Sequence, residues 1–228
     1  MRVDRAVGYP VRGSHAESAL VAGCSLGFVA LGLARLGPVG VLLAVLPTLL
    51  FAGYLGRIAE RGPGESDGPP SVSPLRSLPA CGLRLTVVAF SYLAVPALYT
   101  VAVRPLLFDT VGESSGTLDP YVFLVASTSL LAVWGVFGYV LPVALVRVVR
   151  TKSLRAGVDP AALRATVSQW AYLVAWTQAA LLFGFAVALA GVLLASAVVG
   201  GLVAVPVTVY AAYASTYLMS TATATAKR

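Results

Sequence analysis

Side chains able to do chemistry are scarce in these 228 residues, and their spacing does not bring them together. His15 is the single histidine, so a multi-histidine metal site or a haem pair is excluded by count. It lies near Glu17 in the N-terminal segment, where a solvated role fits it better than a catalytic one. Cys24 and Cys81 lack the spacing of a disulfide framework or a metal cluster and read as two small apolar side chains. The Gly-x-Ser-x-Gly elbow, the His-Glu-x-x-His helix, the P-loop and the dinucleotide fingerprint are missing. No catalytic residue, metal or cofactor is therefore expected, and the chain does not read as an enzyme.

What polar character remains sits inside apolar runs: Ser127, Thr128 and Ser129 in one, Thr177 and Gln178 in another. Groups of this kind either bond between helices or line a path. Pro47, Pro96, Pro142 and Pro206 lie within or near the ends of four such runs, and each removes an i to i−4 hydrogen bond. Transporters use helices broken in this way to hold ions at mid-membrane. Yet no Asp, Glu, Lys, Arg or His falls in the middle of any run, and those residues usually mark ion and proton paths. Interhelical hydrogen bonding explains the polar groups without a substrate.

The elements that would position these residues follow from composition. A soluble domain is about 45–50% apolar and about 25% charged. This chain is 58% hydrophobic and 11% charged. Because a spanning helix takes about 20 mostly apolar residues, the expected fold is all-α, an integral membrane helical bundle of six spans in a single domain. The spans are read at 18–36, 39–58, 82–103, 120–146, 170–194 and 198–218. The tight Gly37-Pro38 break makes the first two an antiparallel hairpin, and three hairpins result. Residues 59–81 form a loop whose Gly62-Pro63-Gly64 and Gly68-Pro69-Pro70 are too rich in breakers for a helix. Asp119-Pro120 and Asp159-Pro160 each set an N-cap acceptor before a proline at the first helical position. Residues 161–169 are expected to run unbroken from the second of these into the fifth span. The uncharged stretch 171–219 fits either two full spans or one span with a re-entrant segment.

The net charge of +7 is a matter of topology. With six spans and the N-terminus in the cytoplasm, every Lys and Arg except Arg35 and Arg104 falls on the inner side, while Asp109, Glu113 and Asp119 fall outside. That placement argues against nucleic-acid binding and for a plasma-membrane protein with both termini cytoplasmic. Arg57, Arg61, Arg147, Arg150, Lys152 and Arg155 are the inner-face residues expected to meet anionic lipid headgroups. Pro10 with Arg12, Pro74 with Arg76 and Pro160 with Arg164 precede the three outward-running spans; the general abundance of proline and arginine at an inner interface explains the recurrence better than three short interfacial hooks do. Ala19, Gly23, Gly27, Ala30 and Ala34 recur at helical spacing along one face of the first span, a small-residue stripe for close helix packing within the chain or with a second copy. Tyr210, Tyr213 and Tyr217 on one face of the last span, and Trp170, Tyr172 and Trp176 at the start of the fifth, read as interfacial anchors.

Tyr9-Pro10, Gly53-Tyr54-Leu55 with Arg57, Gly68-Pro69-Pro70, Gly82-Leu83, Leu141-Pro142 with Ala144, Arg147 and Arg150, and Tyr172-Leu173 with Ala175-Trp176 occur in this order. The series resembles the domain-of-unknown-function 4013 family of archaeal, mainly haloarchaeal, multi-pass membrane proteins, over nearly the whole chain. That resemblance implies a fold and no catalytic residues. The chain departs from the family pattern at Ser71-Val72-Ser73, where relatives carry an acidic stretch with an aromatic residue, and in lacking an acid-rich surface.

Small-residue packing without chemistry points to a non-enzymatic assembly or accessory component of the membrane, its helices meeting one another, a second copy or another membrane protein. A small permease or channel subunit is the alternative, resting on the span prolines and the groups around Gln178.

Overall fold

The structure is a computed structural model that describes residues 3–61, 68–73, 75–108, 120–195 and 198–225. Among these the chain forms eight α-helices and no strand: α1 (Val3–Gly8), α2 (Ala16–Ala34), α3 (Pro38–Arg61), α4 (Leu78–Phe108), α5 (Pro120–Thr151), α6 (Pro160–Val167), α7 (Trp170–Ala195) and α8 (Val198–Thr225). Short 3-10 turns occupy Tyr9–Val11, Leu75–Ser77 and Leu154–Gly157. Six helices, α2, α3, α4, α5, α7 and α8, are long and apolar enough to cross a membrane. Their outward faces are hydrocarbon, with Phe90 and Leu131 each 74% exposed, so lipid is the solvent these surfaces suit.

The six helices pair as three hairpins, α2 with α3, α4 with α5 and α7 with α8. Gly37 turns the first hairpin at φ +83°, a left-handed conformation that glycine adopts without a Cβ penalty, and Pro38 opens α3 where its missing N–H costs nothing. A short helical segment precedes each hairpin: α1 with Tyr9–Val11, then Leu75–Ser77, then α6. Residues 171–219 form two full helices and no re-entrant segment among the described positions. Each helix runs through its internal proline without unwinding.

Several boundaries differ from the sequence reading: α3 continues to Arg61 and α4 starts at Leu78, both inside the expected 59–81 loop, and α4 ends at Phe108 and α5 at Thr151, past the expected ends at 103 and 146. The chain does not continue unbroken from residue 161 into the fifth span, because α6 ends at Val167 and α7 begins at Trp170. Asp159 does cap α6, accepting from the Ala162 backbone N–H at 3.3 Å. The break is stabilised from outside: the Tyr139 hydroxyl donates to the Val167 carbonyl at 2.7 Å, satisfying an acceptor that continued helix would otherwise have used. Helix α8 also extends to Thr225, past position 218, because its last turns are covered by protein: Ser220 and Ala222 are buried and the Thr223 hydroxyl bonds to the Met219 carbonyl. Asp109, Glu113, Asp119, Gly62-Pro63-Gly64 and Pro74 lie outside the described residues.

Helix α8 is the centre. One apolar cluster joins it to α5, α6 and α7 and to Ala6 of α1, and a second joins it to α2 and α3 through Tyr213, Tyr54, Ile58 and Ala19. Small side chains make this possible, since Ala204, Ala211, Ala212 and Ala214 let neighbouring backbones come close.

Candidate functional site

Five helices, α3, α4, α5, α7 and α8, surround an apolar cleft of about 520 Å³. Leu55 and Ala59 of α3, Leu85 and Ala89 of α4, Pro142, Val146 and Val149 of α5, Trp176 and Ala180 of α7 and Ala212, Thr216 and Met219 of α8 are among its walls. The space arises because α8 is narrow where it faces the cleft. Three of its polar wall groups are engaged: the Thr208 hydroxyl donates to Ala204 O at 2.8 Å, the Ser215 hydroxyl to Ala179 O at 3.3 Å and the Trp176 indole to Gly138 O at 3.0 Å. The cleft thus offers a guest hydrocarbon on nearly every side. Its volume lies within the range of about 300–1,000 Å³ common for small-molecule sites. A smaller cleft of about 210 Å³ lies between α2, α3, α7 and α8 and shares Phe51 and Thr208 with the first.

The end of the cleft near Ala59, Val149 and Met219 is the Arg-rich end of the bundle. There the Arg150 guanidinium reaches across from α5, its Nη2 donating to Ser220 O of α8 at 2.9 Å and its Nε to Ala59 O of α3 at 3.4 Å. Arg57 of α3 donates to Val72 O at 3.0 Å and to the Ser77 hydroxyl at 2.6 Å, and the Tyr54 hydroxyl donates to Pro70 O at 2.7 Å. Together they fasten residues 68–73 against α3. Arg147 holds the Leu154–Gly157 turn through Ala156 O at 3.1 Å and stands 3.8 Å from the Asp159 carboxylate. The Tyr92 hydroxyl takes the Gly157 carbonyl of the same turn at 2.6 Å. Lys152 closes α5 at φ +56°, with its ammonium 3.6 Å from Glu60.

The six residues expected at lipid headgroups therefore divide. Arg61, Lys152 and Arg155 are exposed, while Arg57, Arg147 and Arg150 are half buried and clasp backbone carbonyls. The packing stripe is turned inward. Ala19 is fully buried and accepts the Tyr213 hydroxyl at 2.9 Å. A Cβ on Gly23 would collide with that hydroxyl, and one on Gly27 would stand 2.6 Å from Val205 Cγ1. Ala30 lines the smaller cleft, and Ala34, at the helix end, is exposed.

The tyrosines of α8 are internal joints and not interfacial anchors. Tyr213 is fully buried beside Tyr54, Tyr217 stacks on Tyr9 at 4.2 Å, and the Tyr210 hydroxyl donates to Val7 O. An amphipathic ring finds a carbonyl partner inside the bundle here, which sequence position alone does not reveal. Burial pushes the Tyr9 hydroxyl up to about 12, so it stays neutral as the N-terminal segment packs on α8. Trp170 is exposed, as an anchor would be, whereas Tyr172 is buried with its hydroxyl on Tyr139 O at 2.6 Å.

The mid-span polar residues do not converge. Ser127 bonds back to Phe123 O of its own helix at 2.7 Å, Thr128 faces outward, and Thr177 returns to Leu173 O at 3.0 Å. Trp176 is level with Gly138, and Ser127 is eleven residues earlier on α5, a helical rise of about 16 Å. Gln178 lies outside the cleft wall, and its Oε1 is buried with no hydrogen-bond partner. Replacing Gln178 with Leu removes an unsatisfied acceptor at similar size. Stability in detergent should rise by about 1 kcal/mol, read as a melting point higher by a few degrees; a fall would mean that the amide carries an interaction.

Six long apolar helices, five of them around a lipid-like cleft, with arginines gathered at one end, define a multi-pass α-helical membrane protein. The profile of the family described as a protein of unknown function (DUF4013) matches residues 36–199, more than two thirds of the chain, and the chain belongs to that family. Helix α2 and nearly all of α8 fall outside the matched stretch. No curated protein and no solved structure matches the chain.

Proposed function

We propose that this chain is a non-enzymatic accessory component of the cell membrane that works by holding an apolar molecule within the bilayer. In this reading its termini and its Arg-rich end lie on the cytoplasmic face, where Arg61, Lys152 and Arg155 rest against anionic headgroups. The five-helix cleft carries the reading: its wall is almost entirely hydrocarbon, the Thr208 and Ser215 hydroxyls and the Trp176 indole are already bonded, and lipid is the medium around it. Assembly with a second copy or another membrane protein is compatible with it. Gly184 and Gly191 on the outer face of α7 have no atom near a Cβ position, which leaves room for a neighbouring helix to approach closely.

Trp176 supplies the test because it forms part of the cleft wall, whereas Trp134 and Trp170 face outward. A Trp134→Phe, Trp170→Phe variant in detergent, titrated with an uncharged brominated long-chain amphiphile, should lose Trp176 fluorescence saturably at about one equivalent. Unsaturable quenching, equal to that of a variant keeping only Trp134, would refute the reading.

The permease alternative draws support from one observation, that the two clefts meet at Phe51 and Thr208. Solute uptake into proteoliposomes that rises on Phe51→Ala would favour it over static holding.

A further inference from the structure

We infer that the occupant of the five-helix cleft is one anionic phospholipid, an acyl chain lying in the cleft and the phosphate held by Arg150. This deepens the reading of the cleft as a holder of apolar molecules and rests on it. Two independent features meet at one place. The first is the cleft, whose volume is comparable with that of a single long acyl chain and whose wall suits nothing charged.

The second is a cation that meets no carboxylate among the described residues. Arg150 is half buried, bonds only to carbonyl oxygens, and has no carboxylate within 4.0 Å among the described residues, where the ion pairs are Arg147 with Asp159 and Lys152 with Glu60. A guanidinium has five N–H donors, and Ala59 O and Ser220 O engage two of its nitrogens. Removing such a cation from water is costly unless an anion accompanies it.

Position joins the two features. Ala59, Val149 and Met219 are cleft wall, and Arg150 follows Val149 in α5, bonds to Ala59 itself and bonds to Ser220 next to Met219. Three helices therefore place the charge at the cleft's end. A molecule that is apolar along its length and anionic at one end satisfies both features, and the bilayer supplies it without a delivery step. A free anion would leave the hydrocarbon wall empty. A neutral lipid would leave the guanidinium without its charge-assisted bond.

The full chain, reconstituted in nanodiscs of equal parts phosphatidylglycerol and phosphatidylcholine with identical acyl chains, is extracted into mild detergent and its bound lipid measured by native mass spectrometry. Retained lipid should favour phosphatidylglycerol about tenfold, the discrimination expected of one charge-assisted contact. Arg150→Gln should return the ratio to that of the mixture, while Arg84→Gln and Arg164→Gln should leave it within about twofold, and Arg61→Gln should do the same because exposed headgroup contacts are stripped by the detergent. Thr216→Phe fills the cleft without changing charge, and Thr216 makes no hydrogen bond that is lost; it should abolish retention with the melting point held. If Arg150→Gln does not fold, Thr216→Phe decides, since a phosphatidylglycerol preference that survives it overturns the assignment. So does retention without headgroup preference, or a preference that follows Arg61 and not Arg150. Either result with saturable Trp176 quenching intact removes the phosphate site and leaves the apolar cleft reading standing, whereas loss of both removes both.

Discussion

Gly82→Val should separate α3 from α4 and lower the melting point in detergent by about 6 °C or more. Helices α3 and α4 cross with backbone against backbone. A Cβ on Gly82 would press on the Leu49 carbonyl, and a Cβ on Gly53 would press on the Leu78 carbonyl. Neither oxygen can rotate away as a side-chain tip could, so the helices must move apart and forfeit the packing that small residues permit in lipid. Overpacking of this kind costs about 3 kcal/mol, and a chain of this size loses about 2–4 °C for each. The same crossing sets Ser77 against Arg57, so protease cleavage near residues 68–73 should accelerate as well. Gly184→Val is the control, since no atom lies within 4 Å of its Cβ position, and it should shift stability by less than about 0.5 kcal/mol. Equal effects at positions 82 and 184 would mean that the crossing does not hold the hairpins together.

Gly23→Leu should be comparably damaging, and its effect should appear in the stability of the single chain. The clash falls on the Tyr213 hydroxyl and on Val209 Cγ1, which stands 2.9 Å from a Cβ at this position. Tyr213 is the ring on which α2, α3 and α8 meet, its hydroxyl on Ala19 O and its ring 5.4 Å from that of Tyr54. The expected loss is about 3 kcal/mol, against almost none for Gly32→Leu, where the surroundings are open. A double-mutant cycle makes the cause explicit: Tyr213→Phe removes the clashing oxygen, so Gly23→Ala should cost less in that background than in the wild type. Were the stripe an interface between copies, Gly23→Leu would alter the oligomeric state and spare the monomer's melting point.

Much of the fold was legible because lipid imposes a one-residue-at-a-time criterion. Gly37-Pro38 announced the first hairpin by turn chemistry. The residues that carry the family resemblance turn out to be joints: Gly53 and Gly82 at the α3–α4 crossing, Tyr54 and Arg57 on the loop, Arg147 and Arg150 on backbone carbonyls, Tyr172 and Trp176 against α5. Their role was not readable beforehand, because a tyrosine or arginine near a span end suits the interface as well as it suits a buried carbonyl. The break between α6 and α7 was missed for a related reason, since it depends on Tyr139, a residue 28 positions from Val167.

Hydropathy, span number and the gathering of arginines at one end could be read from the residues in order, for each is a sum that ignores their neighbours in space. The cleft, and the position of Arg150 away from every carboxylate among the described residues, came from the packing of the helices. A void is the volume that five packed helices fail to fill, and a charge stands apart from carboxylates only relative to what surrounds it; both are properties of the arrangement, and no single stretch of chain contains them.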